Sequence, residues 1–250
     1  MFALEIKNLT KQFYNYRLFS KEETVKNVLN NCNLNINTGE IFGIAGLNGI
    51  GKSTMIKIIL DLLQPDGGEV NIFGLSHHNA MSRKNICYLP EKFQPSQYLT
   101  GYEFLNLSLS FFDRKITIDE INKMAERLDL DVRALSLIIK KYSKGMGQKL
   151  GLLYCLLSNA KLLILDEPMT GLDPKARVIL KRALIDYVKQ GNTIFFSSHI
   201  LDDVEEICDK IAVLHNGEIK FNGKTEEFKN VYKTQNVEKA FLECINDNML

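Results

Sequence analysis

Residues 46 to 53 read Gly46-Leu47-Asn48-Gly49-Ile50-Gly51-Lys52-Ser53, the spacing G-x-x-x-x-G-K-[ST]. Glycines at these positions let backbone N–H groups converge on phosphate oxygens, and a helix beginning at the end of the run adds partial positive charge. Lys52 supplies a full positive charge, and Ser53 a hydroxyl suited to Mg²⁺. The apolar run Ile41–Ala45 and residues 54–63 predict the strand before and the helix after that such a cradle requires. A chance glycine-rich turn would not come with both, so Gly46, Leu47, Asn48, Gly49, Ile50, Gly51, Lys52, Ser53 and Thr54 are read as an ATP-binding segment.

Leu162-Leu163-Ile164-Leu165-Asp166-Glu167-Pro168 is a short apolar run ending in two carboxylates. It reads as a buried parallel strand, and ligands of open α/β sheets bind at the C-terminal ends of such strands. Asp166 is the expected Mg²⁺ holder, and Glu167 the group that orients the water attacking the γ-phosphate. Tyr142-Ser143-Lys144-Gly145-Met146-Gly147-Gln148 precedes a further apolar helix, with Ser143 placed as its N-cap. Taken alone that would be an ordinary capped core helix. Beside a phosphate loop, a second helix N-terminus with exposed N–H groups is an anion site that could close over nucleotide held by another copy.

Together these segments, with Thr170-Gly171-Leu172-Asp173-Pro174 and Ser197-Ser198-His199, resemble the ATP-binding subunit of an ATP-binding cassette (ABC) transporter, over residues 4–221. The signature Ser-x-Gly-Met is similar to that of the export-type branch. The resemblance implies an α/β fold: a P-loop NTPase (RecA-like) core with an N-terminal antiparallel β portion and an inserted α-helical subdomain. It also implies ATP and Mg²⁺ as cofactors, a homodimer formed on nucleotide binding, and a separate transmembrane permease. Ser143, Gly145 and Met146 match the signature that meets the γ-phosphate in trans, Asp173 the dimer D-loop, and His199 the switch histidine, joining Lys52 and Glu167 in catalysis. The chain would then sit on the cytoplasmic side of the membrane, peripherally, through the permease. The competing readings are a soluble ABC ATPase acting in an assembly complex, for example of iron–sulfur type, and a low-activity nucleotide sensor.

Some positions depart from the family pattern. Glu91 stands where the family usually has Gln after the strand at residues 86–90. A carboxylate keeps a metal-ligating oxygen, so Glu91 joins Ser53 and Asp166 as an expected metal contact, but it loses the amide donor and adds negative charge. Lys144 and Met146 replace the commoner Gly and Gln, and Leu47 a proline. Phe13 is the expected adenine platform, since stacking needs only a flat π-face; Tyr14, Tyr16 and Phe19 compete for that role.

The elements that must position these groups follow from pattern. Residues 4–9 and 33–37 read as strands of an antiparallel portion, joined through a polar loop over residues 15–26. Residues 99–158 read as helical, with a capping box at Thr100-Gly101-Tyr102-Glu103. Asp173-Pro174 opens a helix to Lys189, and Asn216-Gly217 marks a hairpin. The whole is expected as one ATPase domain: residues 1–90 and 159–222 the nucleotide core with its β portion, 91–158 the helical signature subdomain, and 223–250 a C-terminal helical tail. Phe93, Tyr98, Tyr102, Phe104, Phe111 and Phe112 read mostly as the helical core, with residues 93–99 a candidate groove for a helix of the membrane partner.

Composition is consistent with this. A formal net charge of +1 over 250 residues gives no hint of a nucleic-acid surface. The five cysteines are scattered and lack C-x-x-C spacing, which fits free thiols in a reducing compartment. No signal peptide is apparent at the N-terminus, and no apolar run reaches membrane-spanning length. His77 and His78 lack a cysteine or carboxylate at metal-ligand spacing and are expected as plain loop residues.

Overall fold

The computed structural model describes residues 1–16, 23–112 and 114–246. In chain order it begins with two long strands, β1 (Phe2–Tyr16) and β2 (Glu23–Asn37), followed by β3 (Ile41–Ala45) and α1 (Lys52–Ile59). Next come β4 (Gly67–Ile72), β5 (Leu75–Ser76) and the single turn α2 (Ala80–Arg83). Then follow β6 (Ile86–Leu89), α3 (Gly101–Ser110), α4 (Ile118–Arg127), α5 (Lys144–Ser158), β7 (Leu162–Asp166), α6 (Pro174–Lys189) and β8 (Thr193–Ser198). The chain closes with α7 (Leu201–Ile207), β9 (Lys210–His215), β10 (Glu218–Gly223), α8 (Thr225–Val231) and α9 (Val237–Asn246). By internal contacts it divides into two compact units, Met1–Arg83 with Ser197–Leu250, and Lys84–Phe196.

In the first unit, β2, β1, β4 and β5 form an antiparallel sheet in that order. Alternation along β1 buries Leu4 and Ile6, which face Ile36 and Leu34 on one side and Ile72 and Val70 on the other. β3 pairs in parallel with β9, which turns back antiparallel into β10. Every residue of β3 is buried, as expected of a strand covered on both faces. The Asn216-Gly217 turn has φ of 49° and 79°, the positive pair a tight hairpin demands.

The strand forecast fell short in the first hairpin. Residues 15–16 and 23–26, expected in a loop, belong to β1 and β2, with Phe13 paired to Lys26 and Tyr14 to Val25. Phe13, Tyr14, Val25 and Lys26 are exposed, so the sequence here need not alternate, and strand pairing carries the ribbon on.

In the second unit, β6 and β7 pair in parallel, Cys87 opposite Leu163. Leu150, Leu153 and Leu157 of α5 are buried with Leu105 and Leu109 of α3 and Ile121 and Ala125 of α4, and burying each large side chain is worth about 1.5–3 kcal/mol. The capping box at Thr100 and Glu103 is present, and a second, unforeseen one joins Thr117 and Glu120. Phe93 meets Phe104 edge-on at 5.6 Å, and Phe104 meets Tyr154 at 5.9 Å, placing Phe93 within the helical core. Tyr98 and Phe111 remain exposed.

Candidate functional site

The phosphate loop is formed by close approach of backbone. A Cβ at Gly46 would meet the Leu214 carbonyl oxygen at 2.7 Å, and one at Gly51 the Val28 carbonyl oxygen at 2.8 Å. Gly51 also has φ of 125°, which only glycine adopts without strain, so the loop is pinned between β2 and β9. Leu47, Asn48 and Gly49 are exposed at its tip, and Ser53 and Thr54 are half-buried. No side chain caps α1, which leaves its first N–H groups to other partners. Lys52 is buried and folded over the loop, its Nζ donating to the carbonyls of Gly46 at 2.6 Å and Leu47 at 3.3 Å.

The other expected groups of the first unit lie on its surface. Phe13 is 42% exposed, with the Lys11 ammonium 5.5 Å from its ring centre. Tyr14 is exposed too, and its hydroxyl bonds Gln12 Oε1 at 3.1 Å. Phe19 and the side chain of Tyr16 lie outside the described residues. His199 is exposed just before α7, on a turn that the Ser198 hydroxyl fixes by accepting from the Ile200 N–H at 3.0 Å.

The second unit holds the carboxylates and the signature segment. β7 is wholly buried and ends in Asp166, with Glu167 next, both nearly shut off from solvent. Glu167 has φ of 51°, left-handed for a non-glycine residue, and its carbonyl accepts from Thr170 N at 3.1 Å to close the turn. Glu91 is exposed after β6. The Tyr88 hydroxyl is pushed up to about 12, first by burial and then by the negative charges of Asp166 and Glu91, so both carboxylates act on one phenol.

At the start of α5 the Ser143 hydroxyl accepts from Met146 N at 3.2 Å, the expected cap. Gly145 and Gly147 are helical and have room. Among the described residues an added Cβ at Gly145 would find only the Gly171 carbonyl oxygen at 3.8 Å, and at Gly147 nothing within 4 Å. The Lys144 stem lies along Gly171, where an added Cβ would meet its Cε at 3.2 Å. Asp173 caps α6, accepting from Ala176 N at 2.9 Å.

Sequence reasoning passed over Gln148. It is buried in α5 and donates from Nε2 to the Pro168 carbonyl at 3.1 Å, tying the signature helix to the loop that follows Glu167. A buried amide in an otherwise apolar helix face was the available signal.

His77 and His78 also correct an expectation. Both lie in the turn after β5, as expected, but His77 is buried, and Asp61 brings the carboxylate that the local sequence lacks. Folding, not spacing, assembles the three.

The family model described as ABC transporter matches residues 29–170. An ABC transporter ATP-binding protein of Nostoc sp. is 37% identical over 214 residues, 84% of this chain and 64% of that protein. One from Bacillus subtilis is 33% identical over 233 residues, 92% of this chain and 74% of that protein. A bacitracin transport ATP-binding protein of Enterococcus faecalis is 35% identical over 226 residues, 87% of this chain and 68% of that protein. The chain spans less than two thirds of several such relatives, 64%, 55% and 64%. Among solved structures, an ATP-binding subunit of an ABC transporter superposes with TM-score 0.83 at 30% identity, covering 97% of this chain and 99% of that one. A dimeric ATP-binding cassette in a post-hydrolysis state, bound to ADP and Pi, gives 0.78 at 26% identity, covering 88% and 98%. The expected α/β architecture, a P-loop NTPase core with an antiparallel β portion and a helical insertion, is therefore the one observed.

Proposed function

Because the chain belongs to the ABC transporter family as an ATP-binding subunit, we propose that it hydrolyses ATP in a head-to-tail homodimer and so drives a separate membrane-spanning permease, in the direction of export. The observation that carries this reading is the open start of α5. Glycine within a helix costs about 0.5–1 kcal/mol relative to alanine, and among the described residues no packing contact requires it at Gly145 or Gly147. Bare backbone there fits a surface kept clear for the γ-phosphate held by a second copy.

In this mechanism ATP lies on residues 46–54, with Phe13 the platform for its base. Lys52 exchanges the carbonyls of Gly46 and Leu47 for phosphate oxygens. The Ser53 hydroxyl and the Asp166 carboxylate are hard oxygen donors of the kind Mg²⁺ takes, and Glu91 is a further such donor. When bound, the ion would neutralise charge on the phosphates. Glu167 orients and polarises the attacking water, and His199 stabilises the transferring group. Ser143, Gly145 and Met146 of the second copy complete the enclosure from across the dimer, with Asp173 at the shared boundary. Loss of the bridging phosphate then lets the copies part.

Among the described residues no helix is long and apolar enough to cross a membrane. A permease would supply the crossing and hold this subunit peripherally at the cytoplasmic face. The exposed Tyr98, within the 93–99 stretch expected to receive a partner helix, is a candidate for docking it. Export is favoured by the Ser-x-Gly-Met signature and by likeness to a relative named for bacitracin transport.

The test is light scattering of Glu167→Gln with and without Mg-ATP. A dimer that forms only with ATP and no longer forms when Ser143→Arg is added supports the reading. A monomer under every nucleotide condition overturns it.

A further inference from the structure

Outside the nucleotide machinery, Asp61, His77 and His78 each place a ligand atom within 4.8 Å of the other two. We propose that these three side chains form a binding site for a transition-metal dication of the zinc class, bridging the end of α1 to the segment after β5.

The chemistry of the two imidazoles carries the inference. His77 is only 2% exposed, and its Nδ1 lies 3.2 Å from the Val70 carbonyl oxygen. A carbonyl can only accept, so Nδ1 carries the proton and Nε2 is left with its lone pair. That Nε2 is buried with no hydrogen-bond partner among the described residues. A buried acceptor without a donor is a destabilising feature. An imidazole that donates one ring nitrogen to a backbone carbonyl while offering the other is also the usual arrangement of a metal-ligating histidine.

The remaining two donors are accessible and adjustable. The His78 and His77 ring centres are 3.9 Å apart, and the His78 side chain is 52% exposed. His78 Nδ1 lies 2.8 Å from Asp61 Oδ1, which also accepts from Gln64 Nε2 at 3.3 Å. Arg83 holds the other carboxylate oxygen, Oδ2, at 3.2 Å and also donates to the His77 carbonyl. It therefore fixes the carboxylate and the histidine backbone together, and its charge opposes a cation, which keeps the affinity moderate. Two nitrogens and one carboxylate oxygen, with a fourth position left to water, suit zinc, whose bonds to such ligands are about 2.0–2.2 Å. Closing on the ion requires the exposed His78 ring and the Asp61 carboxylate to draw in, and neither is in the core.

Bound metal would fasten the C-terminal end of the phosphate-loop helix to the neighbouring strands. The experiment uses the full chain, stripped with chelator and free of nucleotide, titrated with Zn²⁺ against a chromophoric indicator and followed by thermal melting. One equivalent is expected to bind and raise the melting temperature. In His78→Ala, which removes an exposed side chain and spares folding, and in His77→Gln, affinity should fall at least about tenfold and the thermal rise should disappear. Equal zinc binding in wild type and both variants would place the ion elsewhere and overturn the proposal. So would the absence of binding to the wild type.

Discussion

The phosphate loop and the start of α5 are both glycine-bearing helix N-termini, but they are built in opposite ways. At the loop, glycine is demanded by the chain itself: the carbonyls of Leu214 and Val28 leave no room for a Cβ at Gly46 or Gly51. Its lysine is buried and its helix has no side-chain cap. At α5 the helix is capped by Ser143, while Gly145 and Gly147 have ordinary helical geometry and open space around them. The first region is complete within one molecule. The second is the surface proposed to receive a second copy's nucleotide.

The sharpest break of this contrast is Lys52→Ala. It removes the one cation in the loop and also leaves the Gly46 and Leu47 carbonyls without their donor. ATP binding, read by a fluorescent analogue, should be lost, and hydrolysis should fall by at least about 100-fold. Retained binding would show that the loop does not hold phosphate.

Next in size is one substitution made in both places. Gly46→Ala forces a Cβ to 2.7 Å from a backbone oxygen and should cost about 1–3 kcal/mol of stability in urea denaturation. Gly145→Ala should instead stabilise the fold by about 0.4–1 kcal/mol, while ATP turnover declines. Stability and turnover rising together in Gly145→Ala would remove the case for a reserved surface.

The smallest of the destabilising effects belongs to Ser143→Ala. Loss of the cap bond to Met146 should cost about 1 kcal/mol, measured by denaturation. A larger loss in hydrolysis than in stability would show that the hydroxyl serves more than its own helix.

Much of this was legible because it is local. The G-x-x-x-x-G-K-[ST] spacing, the apolar strand ending in Asp166 and Glu167, the Ser143 and Asp173 caps and the Asn216-Gly217 turn each depend on a few consecutive residues. What escaped depends on other parts of the chain or on a missing pattern. In the outer ribbon of β1 and β2, Phe13, Tyr14 and Val25 are exposed, so no buried-face alternation announced it. The Thr117–Glu120 capping box had the same form as the recognised one and could have been read. The Gln148 bond to Pro168 and the convergence of Asp61 on His77 and His78 join residues far apart in sequence. No spacing rule reaches that far.

In the proposed homodimer, the bond from Gln148 to the Pro168 carbonyl would link the two copies. If a neighbour's nucleotide settles on the start of α5, the displacement would reach the backbone one residue beyond Glu167, the carboxylate proposed to orient water. Each copy would then sense, through one amide, whether its companion is loaded. Turnover would follow nucleotide concentration cooperatively, with a Hill coefficient above that of independent sites, and cutting that amide should return the response to a simple hyperbola.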